Sequence, residues 1–116
     1  MAKDTFKGSR ELTFTIEQKT FHVGVYPLAV DNSPRLMLWH DGEVKAESGA
    51  LTEALVNDRG GVNKVAENFI GDANKALERI LGEPNIDDDD KNAVWARVLK
   101  FLGEHLEVAD ERFVIR

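Results

Sequence analysis

The chain contains no cysteine in 116 residues. That excludes a disulfide framework, a thiolate zinc site, an iron–sulfur cluster and a cysteine nucleophile. Proline occurs three times and tyrosine once, and no segment approaches the ~18 consecutive apolar residues that a membrane span needs. The start, Met1-Ala2-Lys3-Asp4-Thr5-Phe6-Lys7, has no signal-peptide apolar run, so a cytoplasmic protein is expected. There is no G-x-G-x-x-G and no P-loop, and the Gly60-Gly61 pair reads as a helix stop rather than a phosphate cradle. Cations are in deficit, 15 Lys and Arg against 21 Asp and Glu, and form no basic stripe. Direct binding of nucleic acid is disfavoured by that balance.

What is present is ordinary globular composition, 42% hydrophobic and 31% charged, in a length suited to one domain over residues 1–116, with 1–10 expected to be flexible. Leu12, Phe14 and Ile16 alternate with Thr13 and Thr15, and Phe21, Val23 and Val25 alternate with His22, Gly24 and Tyr26. Both stretches read as half-buried strands. Folding back about Gln18-Lys19 would pair Ile16 with Phe21, Phe14 with Val23 and Leu12 with Val25. Pro27 and Asp31-Asn32-Ser33-Pro34 interrupt the pattern as a loop. A second hairpin follows at Asp41-Gly42, with Trp39 facing Val44 and Met37 facing Ala46. Its first strand is apolar on both faces, as an interior strand should be, and its second carries Glu43, Lys45 and Glu47 outward, as an edge should.

The period then becomes helical. A short piece spans Leu51 to Asn57, and a long helix carries Val62, Val65, Ala66, Phe69, Ile70, Ala73, Leu77, Ile80 and Leu81 on one stripe before Gly82 and Pro84. Another helix bears Val94, Val98, Phe101, Leu102 and Leu106, with Trp95 and Leu99 widening its stripe. The segment Arg112 to Arg116 is β-prone. The expected fold class is α+β: an antiparallel sheet of about four strands from two hairpins, then two main helices on one face, with a C-terminal strand as a candidate fifth.

Strand parity places His22 and His40 opposite the Phe14, Phe21 and Trp39 side, together with Tyr26, Leu36 and Leu38. Such a mixed face reads as a partner surface if the helices cover the other side. His105 falls in the apolar arc of the last helix, where a satisfied core histidine is the plain reading. Residues 83–111 hold nine acids against three bases, so the whole excess of −6 resides there. Within them Asp87, Asp88, Asp89 and Asp90 stand where a helix N-terminus would be capped, and they lack the alternating ligands and mid-loop glycine of a calcium loop.

No catalytic, metal or cofactor signature is present in these patterns. The leading expectation is a non-enzymatic protein-binding accessory factor, acting through the acidic segment and the mixed sheet face on a partner with a basic surface. An inhibitor, an immunity-type antagonist or an assembly factor of a phage or mobile element is the type in view. The candidate contact residues are His22, Tyr26, Leu36, Leu38, His40, Asp87, Asp88 and Asp89. The competing readings are a structural subunit that self-associates through its C-terminal strand, and a small-molecule binder or enzyme with a pocket between sheet and helix.

Overall fold

The computed structural model describes residues 9–27, 33–82, 88–109 and 112–115, with the main chain alone at 53, 88–91, 108, 109, 112 and 114. Residues 1–8 of the segment expected to be flexible and residues 28–32 of the expected loop lie outside the described residues; Arg10 already opens a strand.

Strands β1 (Arg10–Ile16) and β2 (Lys19–Pro27) form the first hairpin. Its turn is Glu17-Gln18, with φ of 50° and 67°, and the pairs are Leu12 with Val23, Phe14 with Phe21 and Ile16 with Lys19. The register therefore lies two residues from the expected one. A two-residue shift keeps each side chain on its face. It sets Phe14 directly against Phe21, rings stacked at 5.4 Å, and that aromatic pair offsets the cost of a left-handed turn without glycine.

Strands β3 (Pro34–His40) and β4 (Glu43–Glu47) turn at Asp41-Gly42, both at positive φ, and Trp39 faces Val44 as the sequence predicts. The ladder then shifts between Leu38 and Trp39. Met37 meets Glu47 instead of Ala46, and Leu38 meets Ala46. This irregularity turns Ala46 into the core, where it joins Leu36 and Leu38. The sheet order is β1-β2-β3-β4, so β3 is interior and β1 and β4 are its edges.

Helices α1 (Glu53–Asp58), α2 (Val62–Leu81) and α3 (Asp88–His105) follow. Thr52 caps α1 by accepting a hydrogen bond from the Leu55 amide, and Gly60 and Gly61, at φ of 94° and 103°, separate it from α2. Val65, Phe69, Ala73, Ala76 and Leu77 of α2 and Trp95, Val98 and Leu102 of α3 pack with Phe14, Phe21, Val23, Val25, Leu36 and Leu38 into one core. The Trp95 indole donates to Asn74 at 3.1 Å and meets Phe14 edge-on, tying both helices to the sheet.

Leu106, expected in the last helix, instead opens β5 (Leu106–Ala109), which pairs with β6 (Arg112–Ile115) in a separate two-stranded sheet. The C-terminal strand thus forms without extending the main sheet. Its Phe113 is buried in the main core. The architecture is α+β, and no helix among the described residues is long and apolar enough to cross a membrane.

Candidate functional site

The β2–β3 register decides which side chains share a face. Val23 pairs with Leu38 and Val25 with Leu36, whereas His22 pairs with Trp39 and Gly24 with Met37. Directly opposed residues lie on one side of a sheet. Leu36, Leu38 and His40 therefore belong to the helix-covered side, and Trp39 and Met37 join His22 and Tyr26 on the other. This corrects the expected mixed face. The parity between β2 and β3 depends on whether their connection holds an odd or even number of residues, and a one-residue change flips every side chain.

Leu36 and Leu38 are fully inside the main core, so neither is offered to a partner in the folded chain. Tyr26, at 0% exposure, is buried in a second small cluster with Met37 and Trp39, its ring tilted 6.1 Å from the indole. His40 stacks on Phe21 at 4.8 Å, and its Nδ1 donates to the Thr20 carbonyl at 3.0 Å. Asp87 lies outside the described residues, while Asp88 and Asp89 stand in the first turn of α3, their side chains not described. His105 ends α3 half-buried against Phe101, ring to ring at 4.5 Å.

On the side away from the helices, Glu11 joins Tyr26 and His22. The Tyr26 hydroxyl donates to Glu11 Oε2 at 2.9 Å, His22 Nδ1 lies 3.6 Å from Glu11 Oε1, and the same Nδ1 is hydrogen-bonded to the Thr13 hydroxyl at 2.9 Å. A hydroxyl, a histidine and a carboxylate suggest a relay. In a relay, however, hydroxyl and carboxylate bind different ring nitrogens, so that a proton taken on one is balanced at the other. Here both address Nδ1, and the cluster acts as a cross-strand tie between β1 and β2.

Burial, then the hydrogen bond to Glu11 and that carboxylate's charge, push the Tyr26 phenol well above its ordinary value of 10.0. A neutral phenol is thus favoured by folding. The stability this confers is complete below pH 10 and drains as the unfolded chain's tyrosine ionises above it, by up to about 1.4 kcal/mol per pH unit. Because Tyr26 is the only tyrosine, its phenolate absorbance is assignable without mutation. We expect no phenolate signal from the native protein near pH 10, appearance of that signal together with alkaline unfolding, and a flatter decline of melting temperature above pH 10 in Tyr26→Phe. A native-state titration near pH 10 would show the phenol to be solvated.

Two concavities formed by described residues lie on the helical side; one is between the sheet and the long helix, and no local motif marked the residues that line either. The first is an apolar cleft of about 90 Å³ between the start of α2 and the end of α3, walled by Val62, Val65, Leu99, Leu102, Gly103 and Phe113. Val62 and Leu99 remain 38% and 46% exposed, as Val44 and Leu55 do elsewhere on the surface. The second is an open polar groove of about 780 Å³ between β4 and α2, lined by Lys45, Ala46 and Glu47 on the strand and by Asp72, Lys75, Glu78, Arg79 and Gly82 on the helix. Glu47 is tied to Arg35 at 2.6 Å and Lys45 to Glu43 at 3.1 Å. Lys75 and Arg79, one turn apart, make no ion pair among the described residues.

No family model, curated protein or solved structure matches the chain. Among the described residues no group of three or more His, Asp or Glu is arranged to hold a metal ion.

Proposed function

We propose that this protein is a non-enzymatic protein-binding accessory factor that takes an extended segment of its partner along the outer edge of β4. The groove between that edge strand and α2 is the observation that carries the reading. His40 and Glu43 close the two-residue turn and so exchange the ladder hydrogen bonds; the next pair, Trp39 and Val44, is of the non-bonded kind. That alternation turns the Val44 amide and carbonyl toward the outer edge, where a further strand would meet them. Segments added in this way gain affinity from the main chain and specificity from the neighbouring side chains.

Lys75 and Arg79, set among Glu47, Asp72 and Glu78, offer the segment a groove of mixed charge in which an acidic side chain would meet the two cations. The acidic excess of residues 83–111, a property of the sequence, favours a partner with a basic surface. The irregularity in β4 and its charged side chains discourage pairing of two copies edge to edge. A single segment held against α2 needs no long flat edge. An inhibitor, an antagonist or an assembly factor would all use such a surface.

The test is affinity capture with the intact chain and with Lys75→Glu/Arg79→Glu, at two salt concentrations. We expect a partner held stoichiometrically by the wild type to be lost from the variant by roughly tenfold or more, at an unchanged melting temperature. Equal recovery by both would remove the groove as the contact surface. Recovery of the chain only with itself would replace this reading by that of a structural subunit.

A further inference from the structure

We propose that Asp41-Gly42, the turn of the second hairpin, is a site of spontaneous covalent modification, where the chain closes to a succinimide and reopens as isoaspartate, with His40 supplying the proton. The proposal does not rest on the β4 groove. Asp41 is the only aspartate followed by glycine, and no asparagine is so followed. A side-chain carboxyl can be attacked by the amide nitrogen of the next residue because the product is a five-membered ring. A side chain on that next residue hinders the attack, and glycine has none.

Three structural features favour the reaction at this turn. The Asp41 carboxylate is 85% exposed, and a Cβ built at Gly42 would meet nothing within 4 Å, so both partners of the new bond are clear of packing. His40 and Glu43 pair across the turn, and the Gly42 amide between them makes no hydrogen bond among the described residues. The third feature is His40. Its ring is fixed by stacking on Phe21 and by the Nδ1 bond to the Thr20 carbonyl, which leaves Nε2 3.5 Å from Asp41 Oδ2. A carboxylate oxygen departs only as water, and an imidazolium held beside it is placed to give the proton.

The Gly42 nitrogen bonds to Asp41 Cγ and the Cγ–Oδ2 bond breaks. Oδ2 leaves as water, carrying one proton from His40 Nε2 and one from the Gly42 amide, and His40 is left neutral. A water molecule then opens the ring. Opening at Cγ restores aspartate, whereas opening at the main-chain carbonyl carbon leaves the chain running through Cβ and Cγ. That isoaspartate lengthens the backbone of a two-residue turn by one methylene, so the His40–Glu43 pairing is lost and β4 loosens.

The experiment is prolonged incubation of the folded full chain in mildly acidic buffer, read by peptide mass spectrometry and by enzymatic methylation of isoaspartyl groups. At Asp41 we expect a minor species lighter by one water and an isoaspartyl peptide that elutes apart from its parent at equal mass. His40→Gln, whose amide can still donate to Thr20, should react roughly tenfold or more slowly in the folded chain. In urea, where the ring is no longer held beside the carboxylate, the two rates should converge. Gly42→Asn, a residue that tolerates the φ of 75°, should keep the turn and suppress the reaction at Asp41. The purified isoaspartyl form should show faster amide exchange at Val44 and Lys45. Absence of isoaspartate at Asp41, or its formation there no faster than at the other aspartates, would overturn the site. Equal folded-state rates in the wild type and His40→Gln would overturn the role given to His40.

Discussion

Replacing Gly24 by alanine is expected to cost about 3 kcal/mol or more, among the largest effects open to a single methyl in this chain. A Cβ at Gly24 would lie 2.1 Å from the Arg10 carbonyl oxygen and 2.7 Å from the Glu11 Cα. Both obstacles are backbone, so no rotamer change relieves them. Strand β1 would have to move away from β2 at the Glu11–Gly24 pair. That movement draws Glu11 from Tyr26, so the phenol should lose its hydrogen bond together with part of its burial. Two readouts therefore move at once: chemical denaturation reports the lost stability, and the single tyrosine begins to titrate in whatever native state remains. Wild-type stability in Gly24→Ala would mean that β1 and β2 are farther apart than this geometry has them.

The second large effect is expected from Phe21→Ala, at about 3 to 5 kcal/mol. Phe21 has no exposed surface and is stacked on Phe14 at 5.4 Å and on His40 at 4.8 Å. Truncation removes the ring between those two and leaves a void in the main core that the surrounding side chains cannot fill without backbone movement. For a domain of this size the loss corresponds to a fall in melting temperature of roughly 12 °C or more. Phe21→Leu should recover about half of it by restoring apolar volume without the stacked ring. A cost below about 1 kcal/mol for Phe21→Ala would show that the core collapses around the site.

Much of the fold is written in local pattern. Period-two alternation in Leu12–Ile16 and Phe21–Val25, the Asp41-Gly42 turn, the stripe from Val65 to Leu77 and the Gly60-Gly61 and Gly82 stops each act within a few residues, so a sequence window contains their causes. Where the reading went astray, the deciding interaction lay outside such a window. The first turn sits at Glu17-Gln18 because Phe14 and Phe21 gain from direct stacking, a preference that only the paired strands express. Leu106 leaves the helical stripe because β6 offers it a partner strand, Ile115 lying opposite.

The candidate sites divide in the same way. Residue chemistry alone picked out His22 and Tyr26, and the structure joins both to Glu11, a residue that no local motif marked. Leu36, Leu38 and His40 lie on the side opposite to the one alternation alone predicts, because the parity between two strands is set by their connection and by the packing of both faces. The cleft and the groove depend on residues 30 or more positions apart, Leu99 with Val62 and Arg79 with Lys45. By itself the sequence determined the α+β class, both hairpins, the long helix and the absence of thiol chemistry, because propensity, alternation and composition are local quantities. Only the tertiary structure decided which side of the sheet is core, that Gly24 must lack a side chain, and where concave surface remains, because these are consequences of how closely distant backbones approach.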